Sequence, residues 1–112
     1  MTTLFTHPSV LARVDDATLL VEGDVDVTLA ADLAASGVKW LNATSLTSIS
    51  LDFSRVNKAS SVAISVLFEW LRCCQNRGIE THAIHLSPPL QRLASLAELD
   101  DLIARPASAL AV

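Results

Sequence analysis

Apolar and polar positions along this chain repeat with two different periods. Val10 to Val14 and Thr18 to Glu22 are β-prone runs separated by Asp15-Asp16-Ala17, which suits a tight turn, so the pair is expected as a hairpin. Gly23-Asp24-Val25-Asp26 follows. Asp26 stands where a helix N-cap is needed, its carboxylate placed to accept from the open amides of a first turn. A helix is predicted over Val27 to Ala35. Gly37 is expected to stop or break it, with Val38 to Ala43 extending it past the glycine and turning Trp40 and Leu41 to the core. Thr47 to Phe53 reads as a strand with Ile49, Leu51 and Phe53 on one face. After a loop holding Asn57 and Lys58, a helix is predicted over Ser61 to Asn76, ended by Arg77-Gly78. Ile79 to Leu86 reads as a further strand. Pro88 and Pro89 suit the first turn of a helix over Pro89 to Leu96, with Leu90, Leu93 and Ala94 at helical spacing. Leu99 to Ile103 is expected as one more turn.

The resulting order, β-β-α-β-α-β-α, predicts an α/β domain: a hairpin followed by βα units, giving a small mixed sheet with helices packed on it. The 112 residues fit a single domain, residues 1–112, with a core over about 10–103 and tails at 1–8 and 104–112.

The helix beginning "SSVAISVLFEWLRCCQNRG" is the unusual one. At 100° per residue, Ser61, Arg72, Ser65, Asn76 and Glu69 fall within one arc of about 80°. Leu67 centres the opposite side, flanked by the core candidates Ala63, Ile64, Trp70, Leu71 and Cys74. Val62, Val66 and Cys73 form one shoulder of the polar stripe, and Phe68 lies on the other side. A surface helix needs an apolar stripe only somewhat wider than 100°, and here the apolar arc is more than twice that. Two arrangements account for it. Either the helix is buried between the sheet and another helix of the same domain, or the Val62/Val66 shoulder is covered by another protein, with Ser61, Ser65 and Glu69 as the polar part of that contact. The second arrangement gives a partner-binding set of Ser61, Val62, Ser65, Val66 and Glu69, joined by Asn57 and Lys58 just before the helix.

Composition narrows the function. The chain is 51% hydrophobic and 18% charged, as in a globular protein. A net charge of -4 with no basic cluster argues against nucleic acid as a partner. No apolar run approaches the roughly 20 residues of a membrane span, and "MTTLFTHPSV" lacks the features of a signal peptide, so a cytoplasmic protein without direct membrane insertion is expected. Cys73 and Cys74 are adjacent, cannot form an unstrained disulfide, and read as small hydrophobes. His82 and His85 are expected on opposite faces of a strand, with His7 distant in sequence, so no metal spacing emerges. None of Gly23, Gly37 and Gly78 builds a phosphate-cradling loop, and no local Ser-His-Asp arrangement stands out. Asp24 and Asp26 read as a turn followed by a helix cap. No catalytic residues, cofactor or metal are expected.

"VEGDVDVTLAADL" followed by "SISLDFSRVNKASSVAISVLFEWLR" resembles the STAS-domain family, over roughly Val10 to Leu102. Gly23-Asp24-Val25-Asp26 falls on the family's G-E-L-D element. Ser61 falls on its phosphorylatable serine or threonine and Ile64 on a leucine. Ser60 stands where the family has an aspartate, and Ala63 where it has a glycine. Within the family the chain looks most like the MlaB-like branch, small cytoplasmic subunits of Gram-negative phospholipid-transport ABC complexes. The resemblance implies a non-enzymatic subunit that binds the complex's ATPase, and through it the membrane permease, with a docking edge from Ser61 onward. It would then lie peripheral to the inner membrane through that partner. The alternative it leaves open is an anti-sigma-factor antagonist switched by phosphorylation of Ser61.

Overall fold

The computed structural model describes residues 2–58, 60–99 and 103. The elements run β1 (Thr2–His7), β2 (Val10–Asp15), β3 (Thr18–Gly23), α1 (Val27–Ala43), β4 (Ser48–Val56), α2 (Ser61–Arg77), β5 (Glu80–Leu86) and α3 (Pro88–Leu96). The strands form one mixed sheet in the order β1-β2-β3-β4-β5. β1, β2 and β3 pair antiparallel, and β3, β4 and β5 pair parallel. The expected hairpin is β2–β3, closed by Asp15↔Thr18 pairing, with Asp16 at φ 55° in the turn.

Alternation along β2, β3 and β4 puts Val10, Ala12, Val14, Leu19, Val21, Ile49, Leu51 and Phe53 into one buried cluster. α1 and α2 pack on that cluster and on each other. All six core candidates of α2, namely Ala63, Ile64, Leu67, Trp70, Leu71 and Cys74, are buried there. The Trp70 ring meets Phe53 edge-on at 5.5 Å between centroids, and its Nε1 donates to the Ala34 carbonyl of α1 at 3.0 Å. Leu41 is buried as expected, and Trp40 is half-buried.

Several expectations need correction. Residues 2–7, expected within a tail, form the edge strand β1. Its register slips between Thr3 and Phe5, so the adjacent Leu4 and Phe5 are both half-buried and the period-two signal disappears. Gly37 neither stops nor breaks α1. It is buried in the helix interior, where a Cβ would overlap the Cε2 and Nε1 atoms of Trp70. Glycine is needed there for close helix approach. Gly78, by contrast, is a true helix stop: it takes φ 70° and caps α2. His82 has no partner between the pairs Ile49↔Thr81 and Ser50↔Ala83, so β5 is bulged, and both His82 and His85 are exposed. β4 runs on to Val56, β5 begins at Glu80, and α3 begins at Pro88. Of the turn expected over Leu99 to Ile103, residues 100–102 lie outside the described residues, as does the tail 104–112; the Ile103 amide donates to the Leu99 carbonyl at 3.1 Å.

Candidate functional site

Each of the parallel strands β3, β4 and β5 is followed directly by a helix, so the starts of α1, α2 and α3 all lie at the carboxyl end of the sheet. In open α/β sheets this is the end that loops make available for binding. Two of these starts are tied together. The Asn57 amide donates to the Gly23 carbonyl at 3.1 Å, joining the loop before α2 to the end of β3, where the loop to α1 begins. Ser60 is the N-cap of α2: its hydroxyl accepts from the Ala63 amide at 3.3 Å and donates to the Val25 carbonyl at 3.4 Å. Lys58 Nζ lies 3.8 Å from Asp24 Oδ2. On its other side, the Asp24 amide donates to the Ser9 carbonyl at 2.8 Å.

Asp26 caps α1 as the sequence predicts, accepting from the Thr28 amide at 2.9 Å and from the Thr28 hydroxyl at 3.1 Å. Those bonds, the backbone one first, hold its carboxyl below the ordinary carboxylate pKa.

Ser61 takes the first position of α2 and is exposed. Ser65 and Glu69 follow it on the outward face, exposed, and the Ser65 hydroxyl donates back to the Ser61 carbonyl at 3.0 Å. Asn57 and Lys58 are exposed beside them, and Val62 is half-buried. Val66 does not belong to this surface. It is 2% exposed and part of the core, because the shoulder it shares with Trp70, Cys73 and Arg77 faces α1. Along that seam Trp70 bonds Ala34, the Cys73 thiol lies 3.7 Å from Asn42 Oδ1, and Arg77 Nε donates to the Leu41 carbonyl at 3.4 Å. Of the two arrangements the sequence leaves open, the domain's own helix is what covers the Val66 shoulder.

Two residues at this surface lie outside the expected partner-binding set, Phe68, expected beside the polar stripe of α2, and Val27, expected only as a helix start. Phe68 is half-buried and lines an open depression on α2 with Ser65, Glu69 and Arg72. Val27, directly after the Asp26 cap, is 72% exposed. The signal for Val27 was present: a β-branched apolar residue occupies a first-turn position that usually carries a polar or acidic one.

Among the described residues, no three His, Cys, Asp or Glu side chains gather where a metal could bind, and no helix is long and apolar enough to cross a membrane. Burial raises the pKa of both thiols, that of Cys74 to about 11. This is opposite to what a reactive cysteine needs.

The profile of the family described as "MlaB, STAS domain" matches residues 10–104. No curated protein sequence matches the chain. Among solved structures, the chain is similar to the anti-sigma factor antagonist SpoIIAA in its unphosphorylated form, with 14% identity, a TM-score of 0.65, and 83% of this chain and 84% of that one covered. It is also similar to an anti-sigma factor antagonist from Mycobacterium paratuberculosis, with 20% identity, a TM-score of 0.60, and 88% and 87% covered. At these identities the likeness is one of fold, and it agrees with the five-stranded mixed sheet and its helices. On the extent of the family match, this chain belongs to the STAS-domain family, in its MlaB-like branch.

Proposed function

We propose that the chain is a non-enzymatic assembly and regulatory subunit of a phospholipid-transport ABC complex that maintains outer-membrane lipid asymmetry. It docks on the complex's cytoplasmic ATPase through the start of α2 and reaches the inner membrane only through that partner. The observation that carries this reading is the match of residues 10–104 to the MlaB-like branch. The geometry at the start of α2 supports it. Ser60, standing where much of the family has an acid, is spent internally on the Ala63 amide and the Val25 carbonyl. Ser61, Ser65 and Glu69, with Asn57 and Lys58, form an exposed and mostly uncharged edge. Small serines allow a partner close approach there, and a charge introduced into such a contact would be desolvated without a counter-ion.

A second reading is an anti-sigma-factor antagonist switched at Ser61. It is favoured by the exposure of Ser61 at the first position of a helix, where a phosphate is tolerated by the helix dipole. The two readings differ in the partner. Affinity capture of the tagged protein from detergent-solubilised native membranes, followed by mass spectrometry, should recover an ABC ATPase and its permease. Recovery of an anti-sigma kinase in their place would transfer the assignment to the second reading.

A further inference from the structure

We infer that the docking edge spans the starts of both α1 and α2, with Val27 as its apolar anchor seated in an uncharged, apolar socket on the ATPase; this rests on the docking reading above. Three observations carry it. The two helix starts are one fixed unit, because Ser60 bonds Val25 across the two loops and Asn57 bonds Gly23 at the end of β3. A partner that meets Ser61 therefore meets the first turn of α1 in a set position. Val27 projects from that turn at 72% exposure, whereas Val25, two residues earlier, is buried. The half-buried Val62 is the next apolar group on α2.

The charges of this end decide the chemistry of the partner. Lys58 is matched by Asp24, and Arg55 lies 3.1 Å from Glu22. Asp26 has its Oδ1 committed to Thr28. Each of these cations lies beside its own acid, and Glu69, about two turns along α2 from Ser61, is an exposed carboxylate at the far end of the edge, with no ion pair among the described residues. Around the two helix starts themselves, the surface next to Val27 is made of the small hydroxyls of Thr28 and Ser61, which fits an apolar socket with the charged groups at its rim.

The test is the affinity of the purified protein for the purified ATPase subunit of the same organism's phospholipid-transport complex, measured for a panel of variants that hold their fold by circular dichroism. Val27→Ser is expected to weaken binding about tenfold or more, equivalent to about 1.4 kcal/mol. Val27→Leu should keep wild-type affinity, as should Leu96→Ser, which removes the more exposed leucine (84%) on α3. Affinity should fall less than tenfold between about 0.05 M and about 0.5 M salt. Wild-type affinity of Val27→Ser, with loss in Ser61→Asp, would overturn the anchor and leave the docking reading standing. Wild-type affinity in both would remove the docking reading and the inference with it. Loss in Val27→Ser alone would move the contact onto α1 and overturn the shared edge, and a salt effect of tenfold or more would overturn the uncharged socket.

Discussion

Replacing Gly37 by alanine isolates the contact that locks α1 to α2. In an ordinary helix interior, Gly→Ala stabilises by about 0.5–1 kcal/mol, because alanine loses less backbone entropy. Here the new methyl would overlap three atoms of the Trp70 indole, Cε2, Nε1 and Cζ2. The ring has little room to retreat. It has no exposed surface, sits edge-on to Phe53, and holds the Ala34 carbonyl through Nε1 at 3.0 Å. Forcing a methyl into such packing costs about 1–3 kcal/mol, and disturbing the indole hydrogen bond adds about 1 kcal/mol. Setting the helix gain against these, Gly37→Ala should lose about 1–3 kcal/mol net, which lowers Tm by roughly 5–20 °C in a domain near this size. Urea unfolding followed by far-UV circular dichroism and tryptophan emission measures it, with the midpoint falling and the slope unchanged. Ala35→Gly, at an exposed position of the same helix, should lose only about 0.5–1 kcal/mol. If Gly37→Ala is as stable as the wild type or more so, the helices do not approach as closely as described.

Leu67→Ala should cost about 2–5 kcal/mol in the same assay. Val66→Glu should leave the chain unfolded at room temperature, since it buries an unpaired carboxylate against α1; a folded Val66→Glu protein would put Val66 back on the surface. Because the folded-state pKa of Asp26 is depressed, its contribution to stability is present above the unfolded value of 3.8 and lost as pH falls from there through the lower folded value. Asp26→Asn should therefore flatten the pH dependence of stability between about pH 5 and about pH 2, and an unchanged profile would contradict the cap. Cys74, 1% exposed with its pKa raised to about 11, should resist thiol reagents at neutral pH until the protein unfolds; prompt labelling of both cysteines would contradict its burial.

The architecture was legible where local pattern and tertiary structure agree. The 100° period placed Leu67 and its five neighbours in the core, and Asp26 declared a helix start by chemistry that acts within two residues. It was illegible where a distant contact decides. Gly37 carries a stop signal, and only Trp70, on another helix, explains why α1 runs through it. A helical wheel gives the width of the apolar arc of α2 but not what covers it, so Val66 was equally compatible with a partner and with α1. Bulges hid β1 and altered β5, because one extra residue reverses the alternation on which strand recognition depends. At the candidate site, the exposure of Ser61 follows from its place at a helix start. The bond from Ser60 to Val25 spans 35 residues and leaves no local trace.

Docking of the ATPase on the start of α2, as proposed, makes Ser61 part of the contact. The decisive measurement is co-elution of the purified chain with the ATPase subunit, for wild type and Ser61→Asp. An acid at the exposed first position of α2 is favourable to the helix dipole, so Ser61→Asp should be at least as stable as the wild type when alone. In the contact the same charge is desolvated without a counter-ion and should cost several kcal/mol of binding. Wild type is expected to co-elute with the ATPase, and folded Ser61→Asp to elute alone. Co-elution of Ser61→Asp at wild-type levels would contradict docking there.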